Sequence, residues 1–228
     1  MPACRSRISW LAVATSLALV CAAAAASGDD PKPTPENTIS IKLAEPVKPQ
    51  TFARPIKFYV ESVIDRSGNP QPLLVFKGRG GVFLDRQPVA IVQEALAESL
   101  GTGGLLAANR EAADYLLTVY VFHFGLAAGS GFEFYGKVDL NVVVKDRAMG
   151  KSQTVTALGT SIEGRAVRKK NIMKNVEENI ELALGDALRN LLRGTKLRDA
   201  VAPAEPAPGT GNQGALAAGS WLSWCFIS

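Results

Sequence analysis

The chain holds one histidine, His123 in the run VFHF, and three cysteines, Cys4, Cys21 and Cys225. Zinc centres and Ser–His or Cys–His nucleophile pairs are hard to assemble from that inventory. A histidine filling a sheet position accounts for His123; a hydrolase pairing it with an Asp or Glu is the one catalytic alternative. Glu61, Asp65 and Arg66 lie close enough in sequence to suggest paired carboxylates, but salt bridging or solvation explains them as well. The glycine clusters KGRGG (77–81) and GTGG (101–104) resemble phosphate loops only superficially. No Gly-Lys-Ser/Thr follows either, and neither fits the dinucleotide fingerprint, so they read as turns or hinges. No catalytic, metal or cofactor-binding set is expected.

Aromatic residues stand out instead. With strict alternation, Tyr120, Phe122 and Phe124 share one strand face, and Phe132 and Phe134 follow just across a turn. Val119 and Val121 make the other face of the same strand apolar too. If helices cover one face only, the other is an exposed apolar patch of the kind that marks a partner site; otherwise loops or the N-terminal strand cover it.

The elements that would hold this patch follow from periodicity. PIKFYVESVID alternates Ile56, Phe58, Val60 and Ile64 against Lys57, Glu61 and Asp65, as a strand covered on one side does. Asp85 is placed to cap a helix with Pro88 in its first turn, along the stripe Val89, Val92, Leu96, Leu100. DYLLTVYVFHF reads as a central strand. GKVDLNVVVKD points Val138, Leu140, Val142 and Val144 inward, and SQTVTALGTSIEG is a threonine-rich edge strand; together they form an antiparallel meander. A helix is predicted from about Ala166 to Arg193, with Ile172, Val176, Ile180, Leu184, Leu188 and Leu191 in one stripe. The expectation is an α+β two-layer sandwich: an antiparallel sheet of four to five strands, two helices on one face, order β-α-β-β-β-α.

The ends of the chain carry location. MPACRSR is basic, Ile8 to Ala26 is uncharged, and Ala24-Ala25-Ala26 precedes Ser27, the pattern of a cleaved secretory signal. Cys21 offers lipidation as the alternative, although Val20 is large for the position before a lipidated cysteine. Residues 1–26 are therefore read as signal peptide and 27–55 as a proline-rich tether with a possible edge strand at TISIKL. Residues 56–195 form the domain, and 196–228 a disordered tail ending in the hydrophobic WLSWCFIS. Of 25 basic residues against 21 acidic ones, Arg5 and Arg7 leave with the signal. The remaining excess is too small for a nucleic-acid footprint. RAVRKKN (165–171) could touch acidic head groups, but it lacks the aromatics of a nucleic-acid platform.

The order of elements, with Asp65-Arg66 after the first strand, ADYLL (Ala113 to Leu117) opening the meander and DRAMGK (Asp146 to Lys151) at a turn, resembles the YajG-type envelope lipoproteins. More loosely, it resembles auxiliary lipoproteins of lipid-transport ABC systems. The resemblance spans about residues 38 to 195 and implies a non-enzymatic domain facing the cell envelope, with no active-site residues to carry over. The expected partner is an envelope protein or lipid, with peripheral membrane association in view and no nucleic acid. The expected place is the periplasm, or the outer membrane if Cys21 is lipidated. The expected role is binding or assembly through the apolar sheet face, with a lipid-binding transport accessory as the alternative.

Overall fold

Alternating apolar residues generate the strands, and the computed structural model describes residues 32–68, 73–76, 80–128, 133–161, 165–166 and 171–201. The expected signal peptide, Cys21, Phe132 and the tail beyond Val201 lie outside these residues. The elements run β1 (Thr38–Ile39), β2 (Phe58–Asp65), β3 (Leu74–Phe76), β4 (Gly80–Leu84), α1 (Pro88–Thr102), β5 (Tyr115–Ala128), β6 (Glu133–Asp146), β7 (Ser152–Thr160), β8 (Arg165–Ala166), α2 (Ile172–Leu192) and α3 (Thr195–Val201). The main sheet has the order β2-β5-β6-β7, with β8 continuing along β6, and a small sheet joins β1, β4 and β3. The molecule is α+β, with one helical layer packed on the main sheet.

The sheet is mixed rather than wholly antiparallel. β5, β6 and β7 form the expected meander, but β2 runs parallel to β5. The reason is the connection: the chain leaves β2, makes the β3–β4 hairpin, crosses by α1 and returns beside β2. A crossover of that length through a helix joins parallel neighbours.

Both long helices cover the same face. α1 packs on β2, and α2 on β6 and β7. Their buried residues merge with Leu117, Val119, Val121, Val138 and Leu140 into one cluster. The predicted α2 stripe is buried from Val176 to Leu191, while Ile172, at the first turn of the helix, is only half-buried. Two glycines allow the close approach: a Cβ at Gly136 would collide with the Asn179 carbonyl, and one at Gly159 with the Ala183 carbonyl. Between β6 and β7, Gly150 takes the positive φ of 70° expected for the DRAMGK turn.

Several boundaries differ from expectation. α1 is capped by Gln87, not Asp85, with Pro88 opening the helix. The Asp85 N–H donates to Ile39 O at 2.9 Å, which continues the β1–β4 pairing. α2 begins at Ile172 rather than near Ala166, because Arg165 and Ala166 are drawn into a ladder with Phe134 and Glu133.

The folded unit also reaches beyond 56–195 at both ends. Leu197 and Val201 of α3 are buried, and Tyr115 Oη donates to Val201 O at 2.9 Å. On the other side, Ile39, Ile41 and Val47 belong to the core. Residues 38–50 are thus a strap over the helical layer rather than a free tether. The Val47 N–H donates to Ser99 Oγ on α1 at 3.1 Å, and the Gln50 N–H to Leu192 O at the end of α2 at 3.0 Å. Proline-rich backbone suits such a strap, being pre-extended and short of donors that need a ladder.

Candidate functional site: the outer face of the sheet

With both helices on one side, the opposite face of the main sheet is free to meet other molecules unless loops cover it. At one end they do. The connection from α1 to β5 folds back so that Ala107 and Ala113 bury Leu116, with Tyr59 packed alongside. Arg110 clamps it to Glu61 of β2 at 2.8 Å. The other end, around residues 120–127 of β5, has no such lid among the described residues.

Two bulges decide which side chains reach that open end. In β2 the register slips between Val60 and Ser62, leaving Glu61 unpaired. Parity after the slip points Val63 to the helices and Ile64, opposite Tyr120, to the outer face, so Ile64 does not share the face of Phe58 as strict alternation predicts. In β5 the slip falls between Val121 and His123, leaving Phe122 as the extra residue. Before it, Val119 and Val121 point inward; after it, Phe124 does, and Phe124 is fully buried.

The predicted aromatic face is therefore divided. Tyr120 is half-buried on the outer face, opposite Asn141. Phe122 is 48% exposed and stands at the bulge beside His123. Phe124 is core, not surface. Phe134 has the parity of Gly136 and Val138 and lies half-buried on the helix-bearing side.

The sequence reading missed Leu158, 55% exposed. It sits in the row His123–Asp139–Leu158 across β5, β6 and β7. Its signal was available: in SQTVTALGT, Val155 and Ala157 point inward, so an apolar residue at position 158 points out. Adjacent strands are about 4.8 Å apart, so Phe122 and Leu158 flank Asp139 at roughly 10 Å from each other.

The polar centre of this row is unusual. His123 Nε2 and Asp139 Oδ1 are shielded from water and have no hydrogen-bond partner among the described residues. The other carboxylate oxygen of Asp139 pairs with Lys137 Nζ at 3.0 Å. Burial pushes the His123 pKa below its ordinary value, helped by the Lys137 charge; Asp139 and a hydrogen bond to the Leu126 backbone oppose the shift. His123 and Asp139 are register partners across β5 and β6, so the two unpartnered atoms belong to one cross-strand row.

The helix layer carries a second concavity. A cleft of about 480 Å³ opens between the strap and α2, with Leu43, Glu45, Glu178, Glu181, Leu182 and Arg189 in its wall. Burial holds the Glu181 carboxyl above its usual range, although the Lys42 N–H donates to its Oε1 at 3.2 Å. Among the described residues no three His, Cys, Asp or Glu side chains gather as a metal site, and no helix is long and apolar enough to cross a membrane.

The fold is similar to that of protein XCC0632 from Xanthomonas campestris, described with the family-model name DUF330. The two share 14% sequence identity with a TM-score of 0.52, over 71% of this chain and 95% of that one. Weaker similarities link the chain to the PelC dodecamer from Paraburkholderia phytofirmans (18% identity, 62% of this chain and 92% of that one, TM-score 0.36). Lipoprotein GNA1162 from Neisseria meningitidis is similar at 15% identity, over 54% and 94%, with a TM-score of 0.26. Only the first of these is close enough to speak to the fold, and at that identity it speaks to the fold alone. No family model matches the sequence, and no curated protein sequence matches it either.

Proposed function

We propose that this chain is an exported, non-catalytic module of the bacterial cell envelope that docks a protein partner through the open end of its outer sheet face. One observation carries the reading: Phe122 and Leu158, both about half exposed, flank two shielded polar atoms that have no partner among the described residues, on a sheet whose other face is already covered. Single exposed apolar residues are ordinary, whereas two of them around desolvated polar atoms form the centre of a docking patch. The signal-like residues 1–26 and the resemblance to YajG-type lipoproteins support the envelope location.

The alternative, a lipid-carrying accessory, gains little from the helix-side cleft, since Glu45, Glu178 and Glu181 make a poor wall for acyl chains. Co-isolation from a detergent-solubilised envelope fraction tests the proposal. A partner retained by the parent chain is expected to be lost on Phe122→Asp with Leu158→Asp and kept on Leu182→Asp, an equally exposed position on α2. Retention by the outer-face variant contradicts the docking reading. Co-isolated lipid that survives the outer-face changes and is lost on Leu182→Asp, in the wall of the helix-side cleft, favours carriage.

A further inference from the structure

We infer that two copies of this chain join antiparallel through the free edge of β7, with Thr154 facing Thr154 of the second copy. The main sheet has two edges, β2 and β7. The β2 edge is occupied and broken. The Phe58 N–H donates to Leu105 O and the Ala107 N–H to Phe58 O, both at 2.8 Å, and Glu61 stands unpaired at the bulge. β7 is neither. It pairs with β6 from Ser152 to Thr160 without a register slip, and SQTVTALGT holds no charged residue and no proline. Exposed sheet edges ordinarily carry such residues, or bulges, to prevent pairing with another chain.

Alternation fixes which groups face outward. In an antiparallel ladder every second residue turns both its N–H and its C=O toward the neighbouring strand, and the others turn theirs away. Two contacts show that the even-numbered residues of β7 face away from β6. The Thr160 N–H donates to Asp186 Oδ2 at 3.2 Å, and Asn190 Nδ2 donates to Leu158 O at 2.7 Å. α2 therefore closes the edge at Leu158 and Thr160. The backbone groups of Ser152, Thr154 and Thr156 have no partner among the described residues, and all three residues are exposed.

This free stretch is its own complement. With Thr154 opposite Thr154, Ser152 faces Thr156 of the second copy and Thr156 faces Ser152, so every free N–H meets a free C=O. One step further, Leu158 falls opposite Gly150 of the second copy, in the turn that leads into β7. Pairing stops where α2 closes the edge. The same register brings the turn holding Met149, 59% exposed, alongside Leu158 of the second copy, 55% exposed. Sliding the strands apart from this register sets Ser152 against Leu158 O, which Asn190 already holds, or leaves free groups unmatched. The join makes one continuous sheet with two outer-face patches, their Leu158 residues about 27 Å apart along the strands.

Sedimentation equilibrium of the purified full chain tests the pairing. The parent is expected to dimerise with a Kd below about 100 μM. Thr154→Pro removes an edge donor while sparing the ladder to β6, a placement that strands tolerate. It is expected to weaken the dimer by about tenfold or more with far-ultraviolet circular dichroism unchanged, while Leu182→Asp leaves the dimer intact. A parent that stays monomeric, or a dimer indifferent to Thr154→Pro, overturns the inference.

Should the proline variant not fold, thiol coupling decides. Cys4, Cys21 and Cys225 are first replaced by Ser. Facing residues of such a pair have Cα atoms about 5.5 Å apart, within disulfide reach, whereas Thr156 and its own counterpart lie about 14 Å apart. Thr154→Cys is therefore expected to couple to its copy several times faster than Thr156→Cys does, and Ser152→Cys mixed with Thr156→Cys to couple comparably to Thr154→Cys. Equal self-coupling at 154 and 156 overturns the inference. Thr154 lies outside the row His123–Asp139–Leu158, and these experiments use no other protein. Their failure leaves the proposed function standing, and loss of the envelope partner leaves this inference intact.

Discussion

His123 stands on the outer face with a depressed pKa, caused first by burial and then by Lys137, while Asp139 pulls the other way. The folded state thus resists protonation of a ring that titrates near 6.5 once unfolded. As pH falls through that value the unfolded chain takes up the proton first, so this group's contribution to stability is present above it and is lost below. Urea midpoints at about pH 7.5 and about pH 5.5 should show stability falling toward the acid side, with the fall reduced in His123→Gln. An unchanged pH dependence in that variant would show the ring to be as solvated folded as unfolded. At this scale the sequence was only half legible. Period-two counting placed Val138, Leu140, Val142 and Val144 correctly, because β6 has no bulge where it pairs with β7. The same counting failed in β5 and β2, where one unpaired residue reverses every parity beyond it, and neither Phe122 nor Glu61 announces a bulge by its type.

Among the elements, α2 settles onto β6 and β7 through glycine notches and a stripe of leucines. Gly159→Ala drives a methyl into the Ala183 carbonyl and the Ala187 side chain, and is expected to cost about 2–3 kcal/mol in chemical denaturation, at the upper end of ordinary overpacking. The strap makes a separate prediction. Ile41 is fully buried, so Ile41→Ala should destabilise by about 2–5 kcal/mol, as core truncations do. A free tether would tolerate it within about 0.5 kcal/mol.

The α2 stripe was readable because a 3.6-residue period persists over five turns with no competing signal. Residues 38–50 were not, because prolines at 46 and 49 resemble those of a linker and the burial of Ile39, Ile41 and Val47 depends on a groove that only the assembled helices create. α3 was lost for a related reason: it spans seven residues, too short for a periodic stripe to stand out.

For the whole molecule, the topology leaves one face of the sheet to the helices and strap, and closes half of the other with the loop that buries Leu116. The remaining open patch is where exposed apolar side chains stand beside buried polar atoms that have no partner among the described residues. The overall α+β layering followed from the order of amphipathic segments. The parallel pairing of β2 with β5 follows in turn from inserting α1 between them, an inference that the order β-α-β already contained. Of the aromatic cluster the sequence offers, only Tyr120 and Phe122 reach the outer face, and the place of Leu158 beside them was not legible, since it needs both the bulge at Phe122 and the register that brings Leu158 across from Asp139.

A photo-reactive side chain at position 158, irradiated in growing cells, tests the central claim most directly, with one at position 182 as the comparison. The account predicts a discrete adduct with another envelope protein from position 158, weakened by Phe122→Asp, and none from position 182. An adduct from 182 alone, or one from 158 that is indifferent to Phe122→Asp, would contradict it.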